Sequence, residues 1–143
     1  MNRSRILAAA ASVALIAGTA VVAASPAYAD AGNCPSGRAC VWKDTSYKTA
    51  GSGTNYVSFG QYIWGYYRFS WSSGQGNVND NVTSLYNAGN FEKTRWYRDI
   101  LGGGPYFTLS VGKGDSNLAD SSDNGGSGHN DWISSAYFES FYP

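Results

Sequence analysis

The sequence predicts an all-β protein of short antiparallel strands arranged in two repeated units. Three observations predict it. Charged residues make up only 14% of the chain, whereas aromatics reach 15% and glycine occurs 18 times. A typical globular domain carries roughly 25% charge, so this composition favours strands and tight turns over solvated surface helices. Beyond residue 30 no stretch sustains a helical apolar period. Finally, two different features recur in the same order in the two halves of the chain, which marks a repeat of about 50 residues.

At 143 residues the chain has room for one ordinary domain. Ten basic residues balance ten acidic ones. That balance excludes a strongly basic nucleic-acid binder and an acidic solvating tail. The mean hydropathy of −0.32 excludes a membrane protein as a whole.

The elements follow in order. Arg3 and Arg5 precede an apolar run from Ile6 to Ala24, which Ser25-Pro26 breaks. Ala27-Tyr28-Ala29 then places small residues at −3 and −1. This is the three-part layout of a secretory signal peptide covering residues 1–29. A transmembrane anchor would lack that cleavage site and carry a basic stop-transfer cluster. The mature protein is expected to span residues 30–143, to be secreted and to have no membrane contact after cleavage. Export makes a disulfide between Cys34 and Cys40 the default expectation. A redox or metal role for the pair is disfavoured, because the chain has no other Cys and one distant His.

The first half carries Cys40-Val41-Trp42-Lys43-Asp44, then Tyr47 and Gly51. The second carries Arg95-Trp96-Tyr97-Arg98-Asp99, then Gly102-Gly103. Each reads as a strand entering a hairpin. Downstream come Asn79-Asp80-Asn81-Val82-Thr83-Ser84 and Asn130-Asp131-Trp132-Ile133-Ser134-Ser135, each followed by Tyr two residues later, at Tyr86 and Tyr137. Residues 56–71 are half aromatic with partial alternation and read as strand. Residues 101–106 and 112–130 are rich in Gly, Ser, Asp and Asn and read as loops. The glycine-rich turn at 101–106 is expected to be mobile.

The repeated Asn-Asp-x-x-(Ser/Thr)-Ser segment has two physical uses. Its side chains can fix a turn by bonding nearby backbone N–H groups. Its carboxylate, hydroxyl and carbonyl oxygens can also hold a hard cation such as Ca2+.

These paired motifs, each preceded by an aromatic–x–Asp hairpin with Gly, resemble the βγ-crystallin fold, a sandwich of two Greek keys. The Cys-x5-Cys start and the Cys40-Val41-Trp42 strand are similar, more narrowly, to the secreted peptidase inhibitor family of the Streptomyces metalloproteinase inhibitor type. The resemblance covers about residues 34–138. It implies a first Greek key at about 39–87 and a second at about 94–138. It implies two symmetric Ca2+ sites that exchange ligands between the halves: hydroxyls of Thr83 and Ser134, loop carbonyls of Asn81 and Trp132, carboxylates of Asp80 and Asp131, and hairpin carbonyls near Asp44 and Asp99. It also implies a secreted protease as partner, metalloprotease or subtilisin-like. In the family's type member a second disulfide braces the reactive loop. This chain has only Cys34 and Cys40, so no reactive bond carries over. The 101–106 turn and the 112–129 loop are the candidate protease-facing segments.

No enzyme constellation is present. His129 is the only histidine, and no G-x-S-x-G elbow sits between a strand and a helix. One His and two paired cysteines do not make a catalytic zinc site. Glu92 and Glu139 are the only glutamates, and nothing marks a facing carboxylate pair. The chain reads as a non-enzyme. Two alternatives to inhibition stand beside it. One is an extracellular calcium-binding domain with a structural or stress role. The other is a carbohydrate- or cell-wall-binding module stacking polysaccharide on Tyr62, Trp64 and Tyr66 along one strand face.

Overall fold

The computed structural model describes residues 31, 33–48, 56–71, 74–120 and 128–143. The signal peptide expected at 1–29 lies outside the described residues. Among the described residues, eight strands form two four-stranded antiparallel sheets. They are β1 (Ala39–Trp42), β2 (Tyr56–Phe59), β3 (Tyr62–Ile63), β4 (Ser84–Asn87), β5 (Thr94–Tyr97), β6 (Tyr106–Leu109), β7 (Gly114–Asp115) and β8 (Ser135–Phe138). Among the described residues, helical structure is limited to four 3-10 turns, at Thr45–Tyr47, Tyr66–Arg68, Ile100–Gly102 and Glu139–Phe141.

One sheet has the order β2-β1-β4-β7 and the other β3-β8-β5-β6. Each repeat therefore lends its short third strand to the other repeat's sheet. β7 pairs with β4 through Leu85↔Asp115, and β3 pairs with β8 through Ile63↔Ala136. The registers match: Val41 faces Val57 and Leu85, while Trp96 faces Phe107 and Ala136. The exchange locks the two halves into a single folding unit, because neither sheet is complete without a strand from the other repeat.

The main core lies between the sheets and contains Val41, Leu85, Trp96, Ala136, Val82, Ile133, Tyr66 and Leu118. Period-2 alternation explains the inward strand residues Val41, Leu85, Trp96 and Ala136, whereas Val82, Ile133, Tyr66 and Leu118 reach the core from outside the strands. All four residues of β1 are nonetheless buried. Its outward residues Cys40 and Trp42 pack with Cys34 and Tyr47 in a second apolar cluster on the outer face. The Cys34–Cys40 disulfide closes that cluster. On the equivalent face of the other sheet the outward residues are Arg95 and Tyr97, surrounded by Tyr62, Tyr106, Tyr137 and Tyr142.

The aromatic stretch 56–71 departs from the expected strand. It breaks at Gly60-Gln61, resumes for two residues, and then turns through Tyr66–Arg68. A Cβ at Gly65, just before this turn, would press on the Tyr67 ring. The loop expected at 112–130 contains β7, and residues 121–127 of it lie outside the described residues.

Candidate functional site

The segments that directly follow β1 and β5, residues 44–48 and 99–103, are near-copies. Asp44 and Asp99 share a backbone conformation, φ −104° with ψ 160° and 164°. The residues two positions later, Ser46 and Leu101, are both left-handed at φ 59° and 58°. One serine in each repeat stitches its hairpin. Ser84 Oγ donates to the Asp44 carbonyl at 2.6 Å and accepts from the Tyr47 amide at 3.3 Å. Ser135 Oγ donates to the Asp99 carbonyl at 2.6 Å and accepts from the Gly102 amide at 3.1 Å. This explains why the motif ends in Ser: the hydroxyl must both donate and accept where the chain reverses.

The motif's first residues form a second symmetric pair. Asp80 and Asp131 are left-handed at φ 50° and 52°. Asn79 Nδ2 donates to Asp80 at 2.6 Å, and Asn130 Nδ2 to Asp131 at 2.7 Å. The loops cross over: the Asp80 amide donates to the Ile133 carbonyl and the Asp131 amide to the Val82 carbonyl. Ser134 Oγ donates to Asp80 Oδ1 at 2.9 Å. Asp80 and Ser134, which belong to different repeats, are thus brought together, and Asp131 lies against the residue before Thr83. Asn81 and Trp132 directly follow the left-handed aspartates. The carbonyls of Asp44 and Asp99 each already accept a serine hydroxyl.

The donor set suits a hard cation, since every group is an oxygen. Asn79 Oδ1 and Asn130 Oδ1 are buried without a hydrogen-bond partner. Buried acceptors are ordinarily satisfied, so this matched pair of orphaned oxygens fits a loop that takes a cation. Among the described residues no cluster of three or more His, Cys, Asp or Glu occurs. The charge at each loop is therefore low.

The second candidate site is the β5–β6 connection, residues 98–105. Its backbone is hydrogen-bonded along much of its length. The Leu101 amide donates to the Trp64 carbonyl at 2.7 Å, Gly103 to Ile100 at 3.1 Å, Asp99 to Gly103 at 3.1 Å and Arg98 to Pro105 at 3.0 Å. Glycine serves close packing here: a Cβ at Gly104 would collide with the Asp99 carboxylate, and one at Gly102 with Pro143. The turn presents two apolar side chains to solvent, Ile100 (44% exposed) and Leu101 (60%). A leucine at φ 58° is uncommon and costs backbone strain. The Arg98–Asp99 ion pair at 3.0 Å is half-exposed on both sides and contributes little to stability. Ile100 was not singled out from sequence; an Ile-Leu pair inside a glycine turn was the available signal.

The three-ring platform is corrected. Tyr62 is exposed, but Tyr66 is fully buried in the core and cannot meet a ligand. Burial pushes its phenol well above the usual tyrosine range. The reason is the 3-10 turn at Tyr66–Arg68, which rotates Tyr66 inward and Tyr67 outward. The half-buried Trp64 carries the Arg68 guanidinium over its ring at 4.9 Å.

The profile of peptidase inhibitor family I36 matches residues 27–109, more than half of the chain. One similar structure comes from work on the evolution of the eye lens βγ-crystallin domain fold. It superposes with a TM-score of 0.55 at 18% identity, covering 73% of this chain and 88% of its own. Another, a βγ-crystallin from Ciona intestinalis, superposes with a TM-score of 0.50 at 16% identity, covering 72% of this chain and 100% of its own. A search of curated proteins finds no match. At such identities the structural likeness speaks for the fold alone, and the fold is that of a βγ-crystallin domain.

Proposed function

The chain belongs to peptidase inhibitor family I36, and from that premise we propose that it is a secreted inhibitor that blocks a peptidase cleft with its β5–β6 connection. The family is one of inhibitors and not of enzymes. The observation that supports the connection as the contact is Leu101: an exposed apolar side chain at the tip of a turn whose backbone is bonded to Trp64, and whose neighbour Gly102 is bonded to Ser135. An inhibitory loop gains affinity by being ordered before binding, since less conformational entropy is lost on association. Exposed apolar anchors held on a rigid support are the residues that dominate such interfaces. The signal-peptide layout of residues 1–29 supports secretion.

The test is a titration of the purified, disulfide-bonded protein against a metalloprotease and a subtilisin-like serine protease. The expected result is stoichiometric loss of activity against one of them, weakened at least tenfold by the double substitution Ile100→Ala, Leu101→Ala. Full activity of both proteases at equimolar protein would overturn the reading, and unchanged inhibition by the double variant would move the contact elsewhere.

A second reading is favoured by the orphaned Asn79 and Asn130 oxygens: the two Asn-Asp loops bind Ca2+ and stabilise the sandwich. Binding that stabilises the fold is compatible with inhibition, because the loops and the β5–β6 connection are different segments.

A further inference from the structure

The repeat equates Cys40 of β1 with Arg95 of β5: Cys40 faces Ser58 and Tyr86, and Arg95 faces Thr108 and Tyr137. Both project from the outer face of their sheet. Cys40 ties down the segment before β1 through its disulfide to Cys34. Arg95 ties down the segment after β8, and does so without a covalent bond. Its guanidinium carbon lies 3.8 Å from the centre of the Tyr142 ring and 4.3 Å from that of Tyr106. It thus lies against one ring from the 139–143 segment and one from β6, and its Nη1 reaches the Tyr97 hydroxyl at 3.4 Å.

The 139–143 segment is fastened along its length. The Glu139 amide donates to the Lys93 carbonyl, and Ser140 donates its amide and its hydroxyl to the Glu92 carboxylate at 2.9 and 2.7 Å. Phe141 lies against Tyr62 with ring centres 5.9 Å apart. Pro143 ends over Gly102, so closely that no larger residue fits at that position. In the first repeat the position of Gly102 is held by Tyr47, whose ring packs into the outer cluster against Trp42 and Tyr86. In the second repeat the chain omits that ring, and Pro143 takes up the space.

We propose that residues 139–143, gripped by Arg95 through Tyr142 and seated on Gly102 through Pro143, form a clasp that holds the β5–β6 connection and positions Leu101. Arg95 and Tyr142 are positioning residues, acting on Leu101 through Tyr106 at the start of β6 and through the seat of Pro143. The connection contains three consecutive glycines, Gly102 to Gly104, and glycine costs the most conformational entropy to order. Support from outside the hairpin is what keeps such a turn in one conformation. The consequence for inhibition rests on the function proposed above; the clasp itself does not.

Hydrogen exchange tests the clasp with no protease present. In Tyr142→Ala and Arg95→Ala the Leu101 and Gly102 amides are expected to exchange at least tenfold faster, while the Val41 amide at the centre of β1 keeps its protection. Tyr142→Phe retains the ring and is expected to exchange as the parent does. The same variants, titrated against a protease that the parent inhibits, are expected to inhibit at least tenfold less well and to be cut between residues 98 and 106. Unchanged exchange at Leu101 and Gly102 in Tyr142→Ala would overturn the clasp, as would an equal rise at Val41, which reports general loosening. A parent protein that inhibits nothing would count against the inhibitor reading and leave the exchange result to decide the clasp.

Discussion

The hydroxyl of Ser134, in the second repeat, donates to the carboxylate of Asp80, in the first, at 2.9 Å. The two residues are far apart in the chain and meet because the two Asn-Asp loops cross. A hydroxyl that donates to one oxygen keeps its lone pairs free for a cation. A carboxylate and a hydroxyl from different repeats thus lie side by side, and an ion bound there, as in the second reading proposed above, would stabilise only the folded chain.

Millimolar Ca2+ is accordingly expected to raise the melting temperature, by mass action on the folded state. A hundredfold excess over the dissociation constant corresponds to about 2.7 kcal/mol. Asp80→Ala combined with Asp131→Ala is expected to abolish the rise. Calorimetric melting with and without Ca2+ checks this, and a double variant that still responds to Ca2+ would remove the Asn-Asp loops from the account.

Ser135 is completely buried and bonds both the Asp99 carbonyl and the Gly102 amide. Ser135→Ala leaves both groups without a partner, at an expected cost of about 1–3 kcal/mol. Ser84→Ala removes the corresponding bonds to the Asp44 carbonyl and the Tyr47 amide and is expected to cost a similar amount. The two variants part in function. Ser135→Ala loosens the β5–β6 connection and should weaken inhibition, whereas Ser84→Ala should leave it unchanged. Urea unfolding and a protease titration, run on both variants, give the four numbers needed.

The Cys34–Cys40 bond closes a short loop on the outer face of the first sheet. A loop of that length restricts the unfolded chain by about 2 kcal/mol. Cys34→Ser with Cys40→Ser is expected to lose about that much stability and to keep inhibition, because the connection at 98–105 lies on the other sheet. Loss of inhibition in a variant that remains folded would show that the outer cluster around Trp42 supports the contact after all.

What the sequence disclosed depended on range. The Asp44 and Asp99 hairpins, the paired Asn-Asp loops and the disulfide are local patterns whose chemistry is written in adjacent residues, and each is where its spacing places it. The exchange of β3 and β7 was hidden, because a two-residue strand carries no period to read. Tyr66 was misplaced for a related reason. Alternation at Tyr62, Trp64 and Tyr66 has the period of a strand, yet the chain stops being one after Ile63, and the next turn sends Tyr66 inward. The close bonding of 98–105 was masked by its glycines, whose role emerges only once Asp99 and Pro143 are seen packed against Gly104 and Gly102. Arg95 and Tyr142 lie almost half the domain apart, and no local signal joins them.

Acid is expected to release the 139–143 segment before the sandwich unfolds. The Ser140 amide, and after it the Ser140 hydroxyl, hold the Glu92 carboxyl below its ordinary value. A carboxylate with a lowered folded-state pKa contributes its stability above the unfolded value and loses it as pH falls through the folded one. The contribution is thus complete above about pH 4.3, the ordinary value for Glu, and fades as the solution becomes more acidic than that. Glu92 is only partly buried, so the effect on global stability is small. Its readout is local. The Ser140 amide resonance should titrate with an inflection on the acid side of the ordinary Glu value, and the Tyr142 ring signals should move with it as the segment lifts from Arg95. In Glu92→Gln both resonances should be flat over the same range, because a neutral amide oxygen accepts from Ser140 at every pH. An inflection at or above the ordinary value would mean that Ser140 does not hold the carboxylate, and a Tyr142 ring indifferent to Glu92 would mean that the two ends of the segment are fastened independently.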